Sequence, residues 1–502
     1  MSPAPSPTAV EAALGARLRA VATALGLPAD ADPPQQLAAL VERVAAGSAR
    51  DAWLAYTAIA ATFPDRNALA AFRRAVELAP SSERVAAALA VSVDDIGRPG
   101  RATRGLELVD DPETVLVDVS FSASNDHNTG VQRVVRSFVP HWVASGRPVR
   151  LVRWSPFGGA YVDLDDRERA RILAWRSGVP TTVADRAAER AERPIVVPWG
   201  ARVFHPEVLQ QAECAAAACL AEYSGAKVGV LGHDTIPVSS ADSQPELESE
   251  RFAKFLDVVK HADFVAGVSR SAADEFAGFA TALSAQGLRG PRIVAVPNAV
   301  EVPAEARAAV AGEGAGDELP IVLCVGSHEP RKNQEAVLAA AEQLFAEGVR
   351  FRMVFVGGGG RQQTASFDAK VARWRTRGMA VESHRRLSDP ELWSLYRRAR
   401  FTVLLSLHEG FGLPVAESVS LGTPVLTSDF GSLAEVAAAG GCVTIDPRSD
   451  VQIVDAMRRM LADDELIARL RAEAAAAPER TWAQFADELW QQFTADEQET
   501  AK

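Results

Sequence analysis

HEGFGLPVAESVSLGTPVLTSDFGSLAEV, residues His408–Val436, sets the reading of this chain. It follows the apolar run FTVLLS (Phe401–Ser406), so Glu409 stands where a strand closes. Gly410, Phe411 and Gly412 form a loop that can approach a neighbour closely, and Pro414 opens a helix, where its missing N–H is no loss. That helix carries Glu417, and PVLT (Pro424–Thr427) is the next short apolar run. Strand, loop, helix and strand in succession is the repeating unit of a parallel sheet covered by helices.

The same alternation extends in both directions. Towards the N-terminus of this unit lie the strand-like runs IVLCVG (Ile321–Gly326), FRMVFVG (Phe351–Gly357) and MAVE (Met379–Glu382); CVTI (Cys442–Ile445) follows PVLT. Ser388-Asp389-Pro390 ahead of ELWSLYRRA caps a helix. An earlier unit has VLVDVS (Val115–Ser120), VRLVRW (Val149–Trp154), PIVVPW (Pro194–Trp199), KVGVLG (Lys227–Gly232) and FVAGV (Phe264–Val268), with helical patterns between most of them. The acidic, Ala/Gly-rich stretch 303–318 reads as the hinge between the two. Residues 1 to about 108 read as helices only, broken at Pro28, Gly47, Pro64 and Pro80, with Asp65 and Ser81 as N-caps and Ile96–Gly105 as a linker.

The fold expected is α/β: two doubly wound Rossmann-like domains facing a cleft, behind an all-helical extension. The boundaries read are 1–110 for the extension, 111–305 for the first domain and 306–480 for the second. A last helix, 481–502, packs back toward the first domain. Ligands of such folds sit at the carboxyl ends of the strands.

At 502 residues the chain exceeds the ~250–300 at which one core stops growing, in line with several domains. Its net charge of −12 argues against nucleic acid as a partner, since phosphate binding needs a basic surface; a local basic patch facing a membrane stays open. No run reaches the ~18–20 apolar residues of a spanning helix, and MSPAPSPTAVEAALGARLRA lacks the form of a signal peptide, so a cytoplasmic protein is expected. Cys214, Cys219, Cys324 and Cys442 read as buried free thiols.

Two stretches carry chemistry. In the first, the Gly410–Gly412 loop offers backbone N–H groups to sugar hydroxyls, and the helix N-terminus at Leu413 presents its positive end to phosphates. Glu417, one turn in, can accept two hydrogen bonds from a ribose diol. In the second, VGSHEPRKNQEAVLAA (Val325–Ala340), a strand ends at Gly326 and Arg331 and Lys332 precede a helix. Two cations there oppose the helix dipole, which calls for an anion such as a diphosphate. Taken singly, the first is also a helix start with acids placed for the dipole, and the second a solvated turn.

Together, about 80 residues apart in one α/β unit, they resemble the retaining, GT-B-fold glycosyltransferases of the large family 4, which includes bacterial mannosyl- and rhamnosyltransferases. The likeness runs over most of Val115–Pro447, through VDVSFSASNDHNTGVQRVVR (Val117–Arg136), GHDTIPV (Gly232–Val238), VPNAV (Val296–Val300), VGGGG (Val356–Gly360) and EGFGLPVAE. TGVQRVVR is similar to the subset that builds bacterial surface polysaccharides.

That resemblance implies a hexose, mannose-type, moved with retention from a nucleotide-sugar donor to a saccharide, lipid-linked or protein acceptor, with no cofactor and no obligatory metal. It assigns Glu409, Lys332, Arg331 and His233 to catalysis. Glu417, Gly410, Phe411, Gly412, Leu413, Gly326, Ser327, Gly357 and Gly358 fall to the donor, and Asn128, Thr129 and Gly130 to the loop facing phosphates and acceptor. One departure stands out: many relatives carry arginine after the strand glycine, where this chain has Ser327. Retention without an enzyme nucleophile implies front-face attack, with the diphosphate itself taking the proton.

Other readings compete. Gly357–Gly360 followed by Glu382 mimics a dinucleotide fingerprint, but Gln362 stands at its third glycine. Asp163-Leu164-Asp165 spells a metal pair yet lies in a charged turn. The basic clusters Arg373–Arg377, Arg385–Arg386 and Arg397–Arg400 read as solvated faces. An epimerase or phosphorylase shares the architecture, and a non-catalytic sugar-nucleotide-binding scaffold is the alternative of another class. Donor base, acceptor, and a role for the extension in acceptor, membrane-proximal or homo-oligomer contacts are not legible.

Overall fold

Two β-sheets carry the structure, one from each alternating segment. The computed structural model describes residues 6–495 except 97, 99, 100, 127, 157, 176–192, 246 and 309–318. The first sheet runs β1-β5-β4-β3-β2-β6-β7-β8-β9. Its strands are β1 (Leu106–Val109), β2 (Val115–Asp118), β3 (Val149–Ser155), β4 (Ala160–Asp163), β5 (Ile195–Pro198), β6 (Arg202–His205), β7 (Lys227–Gly232), β8 (Phe264–Gly267) and β9 (Arg292–Ala295). The second runs β12-β11-β10-β13-β14-β15 and is parallel throughout. It comprises β10 (Ile321–Val325), β11 (Arg352–Val356), β12 (Val381–His384), β13 (Ala399–Leu404), β14 (Val425–Ser428) and β15 (Cys442–Ile445).

Strands β2, β5 and β8 are buried along their whole length, because helices cover both faces and leave no alternation to read. In the second sheet β10 lies between β11 and β13, so the strand order reverses there. The loops leaving β10 and β13 diverge and open a crevice at the carboxyl edge. In the first sheet the same reversal falls at β2, between β3 and β6.

Several expectations need correction. The first sheet is not wholly parallel: β4 runs against both β3 and β5. It is a four-residue strand turned back on β3 after Gly159, too short to show a period. β6 and β9 were not read from the sequence; β6 lies three residues after β5, and this spacing hides two strands in one apolar stretch. β12 starts two residues later than MAVE suggests, at Val381. β1 lies inside the segment read as helical to about 108. Ser81 is not a helix cap; it starts a 3-10 turn, with Pro80 at the cap position. Of the stretch read as hinge, residues 309–318 lie outside the described residues.

The N-terminal helices, Pro7–Ala24, Pro33–Ala45, Ala49–Ala60, Arg66–Leu78 and Arg84–Ile96, share one core with the first sheet. Phe63 packs edge-on against Trp154 and Tyr161, and its N–H donates to Gly159 O at 2.9 Å. Arg17, fully buried, donates to the carbonyls of Ala58 (2.6 Å) and Arg104 (2.7 Å). The stretch read as a linker is thereby tied to the helices that precede it. At the other end, the helix Trp482–Thr494 lies on the helix Gly130–Ala144 of the first domain. There Trp142 Nε1 donates to Ala486 O at 2.7 Å and Phe485 packs on Phe138. Cys214, Cys219 and Cys324 are buried thiols, whereas Cys442 is half-buried.

Candidate active site

β10 and β11 end side by side, and their loops are knitted together: Gly326 N–H donates to Val356 O (2.9 Å), His328 N–H to Gly358 O (2.7 Å) and Gly357 N–H to His384 O (2.9 Å). Ser327, at the position where an arginine was expected from the resemblance, turns to Glu329, with Oγ 2.5 Å from Oε1. A 3-10 turn, Pro330–Lys332, carries the two cations. Asn333 follows in the left-handed region (φ 53°) before the helix Gln334–Ala346 begins. Arg331 and Lys332 thus precede the helix proper.

The anion the sequence argument asks for comes first from the chain itself. Lys332 Nζ lies 2.5 Å from Glu409 Oε1, and Arg331 Nη1 3.1 Å from Oε2. Ser406 Oγ donates to Oε1 at 2.6 Å, and Arg331 Nε is 2.8 Å from Glu329. Burial pushes the Glu409 carboxyl up, but Lys332 and Arg331, helped by the Ser406 hydroxyl, outweigh it and hold the group at about 2. Glu409 is therefore a fixed anion at neutral pH, suited to accepting hydrogen bonds and unsuited to giving up a proton.

The loop after Glu409 touches the other domain. A Cβ on Gly410 would lie 2.1 Å from the carbonyl oxygen of His233, so only glycine fits. Gly412 sits at φ 100° and caps the helix Leu413–Ser420. Phe411 packs into the first domain's core. His233 Nε2 donates to Pro206 O at 2.8 Å, and burial pushes its imidazole down to about 4. It is neutral at pH 7, with Nδ1 as its remaining acceptor. His408, unassigned from sequence, bridges the domains through Glu275 (Nε2, 2.8 Å) and Ser240 (Nδ1, 2.8 Å). Glu435 closes a second bridge: its carboxylate accepts from the amides of Arg270 (2.9 Å) and Ser271 (2.6 Å), the exposed N–H groups of the helix Arg270–Leu283.

Glu417 is 1% exposed. Tyr396 Oη donates to its Oε2 at 3.0 Å, and Arg133, from the first domain, is ion-paired with its Oε1. Glu417 and Arg133 line an interdomain cleft of 1040 Å³, together with Asn128, Asp389, Trp393 and Leu413. Asn128 is engaged by Arg136 Nη1 at 3.1 Å, and Thr129 by the Gln132 side chain. A Cβ on Gly130 would stand 3.9 Å from Leu413 Cδ1, so this loop faces the start of the Leu413 helix.

The structure thus joins Glu409, Lys332 and Arg331 in direct contact, places His233 against Gly410, and sets Asn128 and Leu413 around Glu417's cleft, with Gly130 facing Leu413. Gly326, Ser327, Gly357 and Gly358 lie at the ends of β10 and β11. Arg133, Tyr396, Ser406 and His408 were missed as site residues. All four lie inside stretches quoted from the sequence, but nothing in the local spacing shows which of their side chains meet Glu409 or Glu417. Asp163 and Asp165 are held by Arg150 and Arg193, and Glu382 by Arg352, so these acids are occupied by ion pairs.

Residues 307–477 match the family model of glycosyl transferases group 1. The serotype-specific mannosyltransferase WbdA of Escherichia coli is 29% identical over 340 residues, 64% of this chain and 40% of that protein. The Escherichia coli O-antigen chain mannosyltransferase B is 35% identical over 144 residues, 28% of this chain and 37% of that one. The chain thus spans about 40% of the length of the curated relatives it matches. Among solved structures, sucrose-phosphate synthase from Thermosynechococcus elongatus aligns with TM-score 0.52 at 17% identity, covering 76% of this chain and 98% of that one. Anabaena Alr3699/HepE in complex with UDP-glucose aligns with TM-score 0.53 at 13% identity, covering 76% and 99%. The architecture is the GT-B fold.

Proposed function

From a chain that carries a group 1 glycosyl transferase domain in a GT-B fold, we propose that this protein is a retaining glycosyltransferase. It moves a hexose, mannose-type, from a nucleoside diphosphate sugar to a saccharide in surface polysaccharide or glycoconjugate synthesis. The observation that carries the reading is the Glu409–Lys332–Arg331 cluster, at the crevice where the second sheet reverses and beside the N-terminus of the Leu413 helix. A fully charged Glu409 suits the donor sugar's hydroxyls. Lys332, Arg331 and the helix end suit the charge that gathers on a departing diphosphate. His233, neutral and buried against the Glu409 loop, suits contact with the transferring sugar.

In this reading the acceptor hydroxyl attacks from the side the diphosphate leaves, and a diphosphate oxygen takes its proton. No side chain forms a covalent intermediate, and no metal or cofactor is assigned a role. The mannose-type donor is favoured by the relatives named for mannosyl transfer. No described helix is long and apolar enough to cross a membrane; the reading sets the enzyme in the cytoplasm, at the inner face of the membrane where the acceptor is lipid-linked.

Calorimetric titration of GDP and UDP into the wild type and Glu417→Ala tests it. Micromolar binding of one nucleotide, weakened about 10- to 100-fold by the substitution, is the expected result. Binding of neither nucleotide would sink the reading.

A further inference from the structure

The TGVQRVVR stretch has so far supplied a loop and a helix. Its Arg133 does more than pack. Glu417 has two carboxylate oxygens and both are taken: Oε2 by the Tyr396 hydroxyl and Oε1 by Arg133. The two partners differ in kind. Tyr396 is fully buried, and its backbone carbonyl is tied to Thr423 Oγ1 at 2.8 Å, so it stays with Glu417. Arg133 belongs to the other domain, its side chain is 40% exposed, and it reaches Glu417 across the cleft. A ribose diol that bonds to Glu417 must therefore take the position of the guanidinium.

We infer that Arg133 is an exchange residue for the donor: it neutralises Glu417 in the empty cleft and moves to the donor's diphosphate when the ribose diol displaces it. This rests on the reading of Glu417 as the ribose ligand. Two observations support the exchange. The first is charge balance: a displaced guanidinium needs an anion, and among the described residues the carboxylates that act most strongly on Arg133 are Glu417, which the ribose would occupy, and Asp389. The diphosphate that arrives with the ribose is the strongest new one. The second is the neighbouring cation. Arg136 donates to the carbonyls of Ser122 (3.0 Å), Asn125 (2.8 Å) and Arg171 (3.2 Å), which fixes it in place. Arg133 is the arginine of this helix able to move. Because the exchange swaps a contact between domains for a contact with ligand, it links donor occupancy to how the two domains are held.

A nucleoside without phosphates must break the Arg133–Glu417 pair and offers nothing in return, whereas the diphosphate rewards the freed guanidinium. Arg133→Met should tighten binding of the nucleoside and weaken binding of the nucleoside diphosphate, each by ~10-fold. Arg133→Lys, which keeps the charge, should retain most of the diphosphate affinity. The probes are GDP or UDP, whichever the wild type binds, its parent nucleoside and its 2′-deoxy form, titrated by calorimetry into proteins whose melting temperatures are checked. A parallel loss for nucleoside and diphosphate would reduce Arg133 to a structural residue, and no change would remove it from the site; either result overturns the exchange alone. Equal wild-type affinity for the ribose and 2′-deoxy forms would instead overturn the ribose reading, and the exchange with it.

Discussion

A carboxylate taken out of water is ordinarily pushed toward its neutral form, and Glu409 shows how two cations reverse that. Its ordinary value is 4.5 and its value in the fold is about 2. A depressed carboxyl adds stability that is fully present above about pH 4.5 and is lost as pH falls through 2. Lys332→Met removes the nearer cation. Acid titration followed by circular dichroism should then show unfolding at a higher pH than in the wild type. Breaking such a buried pair costs about 3–5 kcal/mol, and sugar transfer should fall on the order of 100-fold; unchanged turnover would count against Lys332 acting on the diphosphate. Glu207 and Glu213 have the opposite sign. Burial, with repulsion from Asp118, pushes Glu207 up to about 7 and Glu213 up as well. Their contribution is present below about pH 4.5 and lost as pH rises through the raised values. Glu213→Gln should flatten the fall in melting temperature between pH 6 and pH 9, measured by scanning calorimetry; an identical fall would show that ionisation of Glu213 does not drive it.

Among the elements, the Gly410–Gly412 loop is where one domain reads the other. Gly410→Ala puts a Cβ 2.1 Å from the His233 carbonyl oxygen, an overlap relieved only if the domains part. A shift of about 1 Å at a reacting centre can cost ~100-fold in rate. Transfer should therefore fall by about that factor while the melting temperature barely moves. A normal rate would mean that the domains need not approach this closely. The last helix works by a different logic. Trp142 is fully buried between Phe138, Phe204 and Trp490, with its indole N–H on Ala486 O. Trp142→Ala should cost about 3–5 kcal/mol in urea denaturation, through the cavity and the unpaired carbonyl it leaves.

At the scale of the molecule, the N-terminal helices are part of the first domain and not an appendage. Their core is continuous with the first sheet, and Arg17 ties three segments of backbone together. A chain lacking residues 1–105 should aggregate or lose its helical circular dichroism, because removal exposes Trp154, Tyr161 and the face of β5. A soluble, folded truncation would instead restore the reading of these residues as an extension outside the first domain. The bridges made by His408, Glu435 and Arg133 hold the second domain against the first, so the cleft is defined by both halves of the chain.

The sequence by itself determined what is local. Short apolar runs alternating with helical patterns pointed to sheets of mainly parallel strands, and the glycines and Pro414 after Glu409 to a tight turn into a helix, because φ restrictions and orphan N–H groups act within a few residues. Charge type was legible as well: two cations ahead of a helix, in the same unit as two acids flanking a glycine loop, already implied an anion site. Tertiary structure decided the pairings. β4 turns back as an antiparallel strand, β6 follows β5 after three residues, and β1 lies beside β5, all set by contacts between residues about 90 apart or by a turn too short to carry a period. The partner of each charge was decided there too. Lys332 meets Glu409 across 77 positions and Arg133 meets Glu417 across 284, and at such separations only the folded chain brings a carboxylate and a cation within reach of one another.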